Sequence, residues 1–171
     1  MKWKGKLIDH IFEEIKKDSE WQKTSERILI DPTIGVHLAI FNEPFLALIY
    51  KGEKKIESRF SINQVAPFNK VSKGDVIILK SSGGPVTGIF LAGNVNFFSN
   101  LTKAKIKEIE KLYSRKICAH YDSNFWVNRA LTKFVTLIEV DKIKALTPFR
   151  IEKKDRTAWS ILRQSQNNLL L

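Results

Sequence analysis

The chain has 171 residues, 43% of them hydrophobic and 27% charged, a composition typical of a globular protein with one sizeable core. It has no apolar run of about 18 residues, and acidic residues interrupt its N-terminal segment, so we expect neither a membrane span nor a signal peptide. The single cysteine, Cys118, excludes an internal disulfide and a multi-cysteine zinc site, and we expect a cytoplasmic protein.

The positive charge is confined to one part of the chain. Residues 1–35 hold seven Lys or Arg and seven Asp or Glu, so the formal charge of +11 belongs to residues 36–171. A domain this basic attracts polyanions, and such binding weakens as the salt concentration rises. A nucleic acid is therefore a candidate partner, although many basic proteins bind none.

Residues 1–35 are predicted to form a helical extension ahead of a main domain at residues 36–171. Near the N-terminus six apolar residues recur at helical spacing, which predicts a first helix of about 15 residues. They are Trp3, Leu7, Ile8, Ile11, Phe12 and Ile15. A polar, mixed segment follows, and Asp31-Pro32 marks a break. The extension either packs on the main domain or docks a protein partner.

The main domain opens with a β-rich run, VHLAIF, at residues 36–41. Pro44 then lies near the first position of a short helix, and Gly52 is placed to end it. The next segment, KIESRF, alternates with period two and predicts a strand with Glu57 and Arg59 on one face.

The rest of the chain alternates strands, loops and few helices. The predicted elements are first a strand at 73–80, a glycine-rich loop at 81–88, and a strand at 89–98 with Gly93 allowing a bulge or a close approach. After these come a helix from Thr102 to about Cys118, a short helix at 124–131, a strand at 133–140, and one or two short strands at 147–164. Residues 167–171 are expected to fray. Short strands with scattered helices predict an α+β fold containing a small twisted barrel.

Several familiar motifs are absent. The sequence contains no GxGxxG, no GxxxxGK[ST] and no GxSxG, so nucleotide-cradling loops and serine-hydrolase chemistry have no support. The histidines, His10, His37 and His120, lack the spacing of zinc ligands and are expected to be structural or surface residues. We therefore expect no metal and no cofactor.

The segment GEKKIESR, residues 52–59, carries the most informative charges. Glu57 and Arg59 would lie about 7 Å apart along one strand face, with Lys54 at the turn before them. Arginine offers a planar fork to phosphate, lysine adds a compact charge, and a glutamate between them could accept a base amino group. A lysine near other cations can also have a lowered pKa and act as a base. The alternative is a solvated strand face whose ion pair is worth under about 1 kcal/mol.

The same segment resembles the ASCH domain family of the PUA-like superfamily. The diagnostic pattern of that family, G-x-K-x-x-E-x-R, is present here as Gly52, Lys54, Glu57 and Arg59. A Gly-Asp strand follows at residues 74–75 and an S-G-G-P loop at residues 82–85, in the family's order. The resemblance extends from about residue 36 to about residue 165.

This resemblance implies a PUA-like small twisted β-barrel surrounded by short helices, with the motif lining a cleft. It implies that the ligand is RNA or a modified nucleoside or nucleotide. Two functions stay open: a binding module, or a ribonuclease or modified-nucleoside amidohydrolase with Lys54 as base and Glu57 as orienting group or acid. The amidohydrolase members carry a threonine, their proposed nucleophile, where this chain has Glu57. Binding is therefore the leading hypothesis.

Further candidate binding residues lie outside the motif. Backbone N–H groups of the glycine-rich loop could hold a phosphate, or the loop could be a plain hairpin. A lysine precedes it, a polar stretch after the motif could reach the cleft mouth, and a tryptophan could stack on a base or pack in the core. These residues are Ser61, Asn63, Lys80, Ser81, Ser82, Gly83, Gly84 and Trp126. Trp159 is expected to pack in the barrel.

Overall fold

The computed structural model describes residues 2–166, so the tail expected to fray, residues 167–171, lies outside the described part. The helices are α1 (Lys2–Ile15), α2 (Gln22–Ile30), α3 (Phe45–Tyr50) and α4 (Lys103–Ile117). The strands are β1 (Val36–Phe41), β2 (Ile56–Ser61), β3 (Val76–Ser81), β4 (Val86–Phe98), β5 (Phe134–Phe149) and β6 (Trp159–Arg163). Short 3₁₀ helices lie at Ala119–Tyr121 and Val127–Arg129.

The six strands form one sheet in the order β2-β5-β4-β3-β1-β6. Strands β1 and β3 run parallel, and the other neighbours are antiparallel. The sheet curls into a half-barrel accompanied by a few helices, which confirms the predicted α+β class and the twisted-barrel architecture.

Bulges in the long strands β4 and β5 help the sheet to curl. The register of this pair shifts between Ala92 and Val95, next to Gly93. A Cβ atom at Gly93 would lie 2.9 Å from the Cβ atom of Glu139 on β5, so the close approach of the two strands requires glycine. The bulge expected at Gly93 is confirmed.

Local signals fix the helix ends well. Helix α3 begins directly after Pro44 and ends before Gly52, whose φ of +71° is the left-handed conformation that glycine adopts easily. Thr102 caps α4 by accepting the N–H of Lys105 at 3.2 Å. The helix predicted from Thr102 to about Cys118 is therefore confirmed.

Strand β4 begins at Val86, inside the predicted loop at 81–88, and two further elements also differ from their prediction. Strand β5 continues to Phe149, nine residues beyond the predicted end, because its charged second half still pairs with β4 across register shifts. The short helix predicted at 124–131 is a single 3₁₀ turn at Val127–Arg129.

The N-terminal helices cover one face of the sheet. Five apolar side chains of the two helices and the turn between them are at most 2% exposed: Leu7, Ile11, Ile15, Trp21 and Ile28. They pack on the side chains of β1 and β3 that point to this face, including Val36, Leu38, Val76 and Ile78. The opposite, concave face carries Ala39, Phe41, Ile77 and Leu79. Helix α2 lies in the segment that the sequence shows only as polar and mixed, and a domain boundary at residue 35 stays a prediction.

Among residues 2–166, no helix is both long enough and apolar enough to cross a membrane.

Candidate ligand-binding site

Lys54 is buried at the entrance to β2. Its backbone N–H donates to Leu48 O as the chain leaves α3, and its side chain is only 3% exposed. The ammonium group donates to Ile117 O, at the end of α4, at 2.9 Å and lies 3.3 Å from Glu57 Oε2. Lys54 therefore joins the motif to the C-terminal end of α4.

Glu57 lies between two cations. Its Oε2 atom faces Lys54, and its Oε1 atom lies 2.7 Å from Arg59 Nε. The contact with Arg59 is an ion pair whose atoms are not aligned as in a regular hydrogen bond. Glu57 is 4% exposed. The alternative interpretation from the sequence, that this face of β2 is solvated, is therefore wrong, because α4 and the concave sheet enclose this part of the strand.

Arg59 lies between two aromatic rings. Its guanidinium carbon is 4.9 Å from the ring centre of Phe41 and 5.3 Å from that of Trp159. The same group donates from Nη2 to Ile40 O at 2.9 Å. Cation–π contacts and hydrogen bonding hold the guanidinium plane in place.

Burial changes the proton affinity of this cluster. It lowers the pKa of the Lys54 ammonium below its ordinary value, and the charge of Glu57 acts in the opposite direction. Burial also raises the pKa of the Cys118 thiol, against the effect of Lys54. The sequence attributes a lowered lysine pKa to neighbouring cations, whereas burial is the main cause here and Arg59 contributes the least.

The motif opens onto a cavity of about 700 Å³ on the concave side of the sheet. Its walls are rich in aromatic rings: Phe41, Phe45, Phe60, Phe68, Phe125 and Trp159. Its polar lining includes Asn42, Ser58, Ser61, Thr136 and Thr157. A largely apolar cavity of this size with a few convergent polar groups is typical of a small-ligand site.

Arg129 is a third cation of this cavity, and the sequence did not indicate it. Its guanidinium carbon is 3.5 Å from the ring centre of Phe125 and 5.5 Å from that of Phe60. Burial lowers the pKa of the Arg129 guanidinium, and the charges of Asp122 and Glu57 act in the opposite direction. Over the described lining, three cations therefore face two carboxylates, and an anionic ligand would be favoured.

Thr136 contributes a buried hydroxyl to the same cavity. It lies opposite Arg59 in the β2–β5 register and is 0% exposed. Within the described residues its Oγ1 has no hydrogen-bond partner. Because buried polar groups are nearly always hydrogen-bonded, an ordered water or a ligand in the cavity can supply the missing bond.

Trp159 packs in the barrel as expected, and it also forms a wall of the cavity. Its indole Nε1 donates to His37 Nδ1 at 3.2 Å, and His37 Nε2 lies 3.1 Å from Asp75 Oδ2. Since the indole is only a donor, His37 must carry its proton on Nε2. The structural role expected for His37 is confirmed.

Asp75 anchors this arrangement. Its carboxylate also accepts the backbone N–H groups of Gly35 at 2.7 Å and Ser72 at 2.8 Å. We expect Asp75→Asn to lower the free energy of unfolding by about 2–3 kcal/mol, because the new amide turns an N–H group toward a buried donor. Urea unfolding measures the change. Asp9→Asn, at an exposed position of α1, should change it by less than about 0.5 kcal/mol, and an equal effect of the two variants would contradict the assignment.

Of the other predicted binding residues, Ser61 lines the cavity, whereas Asn63 is exposed and lies outside the lining. Trp126 packs edge-on against Phe60 and Phe125, with its indole N–H donating to Ser114 Oγ at 3.1 Å. Trp126 thus supports the aromatic wall from behind.

The glycine-rich loop does not reach this cavity. Lys80 donates to Ser81 O and Gly84 O, and so closes the hairpin. The N–H groups of Ser81, Ser82 and Gly84 already donate to protein carbonyls. Gly83 occupies the left-handed turn position of this hairpin, with φ +67°. A role in ligand binding stays a prediction for Lys80 and these four residues.

No protein-family model and no curated protein matches the chain. Among solved structures, the chain is similar to the ASCH protein from Zymomonas mobilis, with a TM-score of 0.59 and 12% identity over 82% of this chain and 95% of that one. A single-substitution variant of the same protein gives a TM-score of 0.59 and 13% identity over 81% and 96%. The chain therefore has the fold of an ASCH domain, as the G-x-K-x-x-E-x-R pattern implied.

Proposed function

We propose that the protein binds RNA and holds one unpaired nucleotide in the cavity beside Lys54, Glu57 and Arg59. The observation that carries the proposal is the lining of that cavity, where two guanidinium groups lie against aromatic rings around an unpaired buried hydroxyl. Sequence-specific binding of RNA mostly uses unstacked bases that lie on aromatic or guanidinium planes.

The aromatic groups give a base two surfaces. Trp159 and Phe41 flank Arg59 on one side, and Phe125 and Phe60 flank Arg129 on the other. Stacking of one base on such a surface is worth about 1–3 kcal/mol. The net positive lining then favours the phosphate attached to that base.

In this proposal, Glu57 reads the base. Each of its carboxylate oxygens faces one cation, and each oxygen has a second acceptor position. The remaining acceptor positions suit a base that carries an exocyclic amino group. Lys54 is buried behind Glu57, so its role is to hold the carboxylate in place.

The direct test is binding of a labelled single-stranded RNA by fluorescence anisotropy. We expect Arg129→Gln and Arg59→Gln each to raise the Kd about tenfold at low salt, through loss of stacking and charge. Lys23→Gln removes the same charge from an exposed position on α2, over the other face of the sheet, and should change the Kd less than twofold. Circular dichroism must show that the variants are folded. An unchanged Kd in both arginine variants would refute the proposal.

Catalysis is the second candidate, and the lowered pKa of Lys54 beside Glu57 favours it. The wild-type protein is therefore incubated with total RNA and with acylated cytidines. The products are compared with those from a Lys54→Ala control. Turnover by the wild type that disappears in a Lys54→Ala variant shown by circular dichroism to be folded would replace the binding module with an enzyme.

A further inference from the structure

A second surface lies on the other side of the loop that joins β2 to β3, residues 62–75. It is an open groove of about 840 Å³. Its lining includes Gln64, Lys70, Lys73, Asn94, Asn96 and Phe97. The proposed RNA-binding cavity does not use any of these residues.

The chemistry of this groove suits a polar polyanion. In the described part of the chain, its lining contains two exposed lysines and several carboxamides, and no carboxylate. Lys73 Nζ lies 3.4 Å from Asn94 Oδ1, and Glu139 touches the groove edge, where it accepts the Asn94 N–H. Lysines attract phosphates, and carboxamides can both donate to and accept from sugar hydroxyls.

The groove and the cavity share a wall. Phe68 lines the cavity and Phe97 lines the groove, with their ring centres 5.4 Å apart. The loop above this pair exposes Ile62 and Val65, which are 61% and 54% exposed. The cavity and the groove are therefore neighbours, and the groove lies close to nucleotides that follow one held in the cavity.

We propose that this groove binds the sugar–phosphate backbone of the RNA nucleotides next to the one held in the cavity. The inference rests on the proposed function, since it takes RNA as the ligand. It assigns Lys70 and Lys73 to phosphates, and Asn94 and Asn96 to polar groups of the backbone. Binding in the groove should thus add affinity that depends on the length of the RNA and not on its sequence.

The test compares two probes on the double variant Lys70→Gln/Lys73→Gln. One probe is a single-stranded RNA of about eight nucleotides, within the range of about 4–16 that one small domain covers. The other is a nucleoside monophosphate. We expect the Kd of the oligonucleotide to rise about tenfold and its salt slope to fall by about 1.4, for two lost phosphate contacts. The Kd of the monophosphate should not change.

The matched control is Lys17→Gln/Lys23→Gln, which removes two exposed charges from the N-terminal layer and should leave both Kd values within about twofold. An oligonucleotide Kd that does not rise in the groove variant would overturn the inference. So would an equal loss of binding to polyglutamate, because the groove would then be a general anion surface. If the wild-type protein binds the oligonucleotide but no monophosphate, the cavity proposal fails while the groove is still tested by the double variant.

Discussion

A chain that lacks residues 1–31 should fail to fold and should be insoluble when produced. The deletion removes α1 and α2, and it exposes the apolar side chains of β1 and β3 that these helices cover. The shortened chain would lose the hydrophobic burial that stabilises the fold. Its exposed apolar sheet face would also promote association between chains. Solubility and circular dichroism of the shortened chain measure the outcome.

Two substitutions on α1 give a finer measurement of the same contact. Leu7→Ala, at a fully buried position, should lower the free energy of unfolding by about 2–5 kcal/mol. Lys6→Ala, one residue away and exposed, should change it by less than about 0.5 kcal/mol. A soluble, well-folded remainder after deletion would instead favour a docking arm for a protein partner.

Local features of the chain could be predicted because their causes are local. The end of α3 follows from Gly52, the strand β2 follows from period-two alternation, and the Thr102 cap follows from its side chain. The motif places Lys54, Glu57 and Arg59 together for the same reason, since they lie within six residues of one another.

The walls of the cavity could not be predicted because distant segments form them. Arg129, Thr136 and Trp159 meet Arg59 only after β5 pairs with β2 and β6 joins the edge of the sheet. None of the three lies in a recognisable motif. Burial of Lys54 likewise depends on α4, whose last carbonyl groups lie 63 residues further along the chain.

The glycine-rich loop is near the motif in sequence, and its role in ligand binding stays a prediction. The loop follows the motif by about two dozen residues, and the sequence predicts a shared site with Lys54. In the sheet, however, β5 and β4 lie between β2 and β3. Neither Lys80 nor residues 81–84 line the cavity beside the motif.

Glu57→Leu should lower the free energy of unfolding by about 3–5 kcal/mol. The substitution leaves the Lys54 ammonium buried at 3% exposure without its counter-charge, and a buried charge that loses its partner is costly. Lys54→Met/Glu57→Leu removes both charges, so we expect it to cost less than Glu57→Leu alone. Urea unfolding of the wild type, the two single variants and the double variant measures the coupling.

The exposed pair Lys105–Glu108 on α4 provides the control, because its atoms are also close, at 2.9 Å, but surrounded by water. Glu108→Leu should cost under about 1 kcal/mol. A similar small cost for Glu57→Leu would mean that water reaches Lys54 and that the ion pair does not fix the site. A double variant that is folded and stable yet binds RNA more weakly than the wild type would support the proposed role of Glu57 in ligand binding.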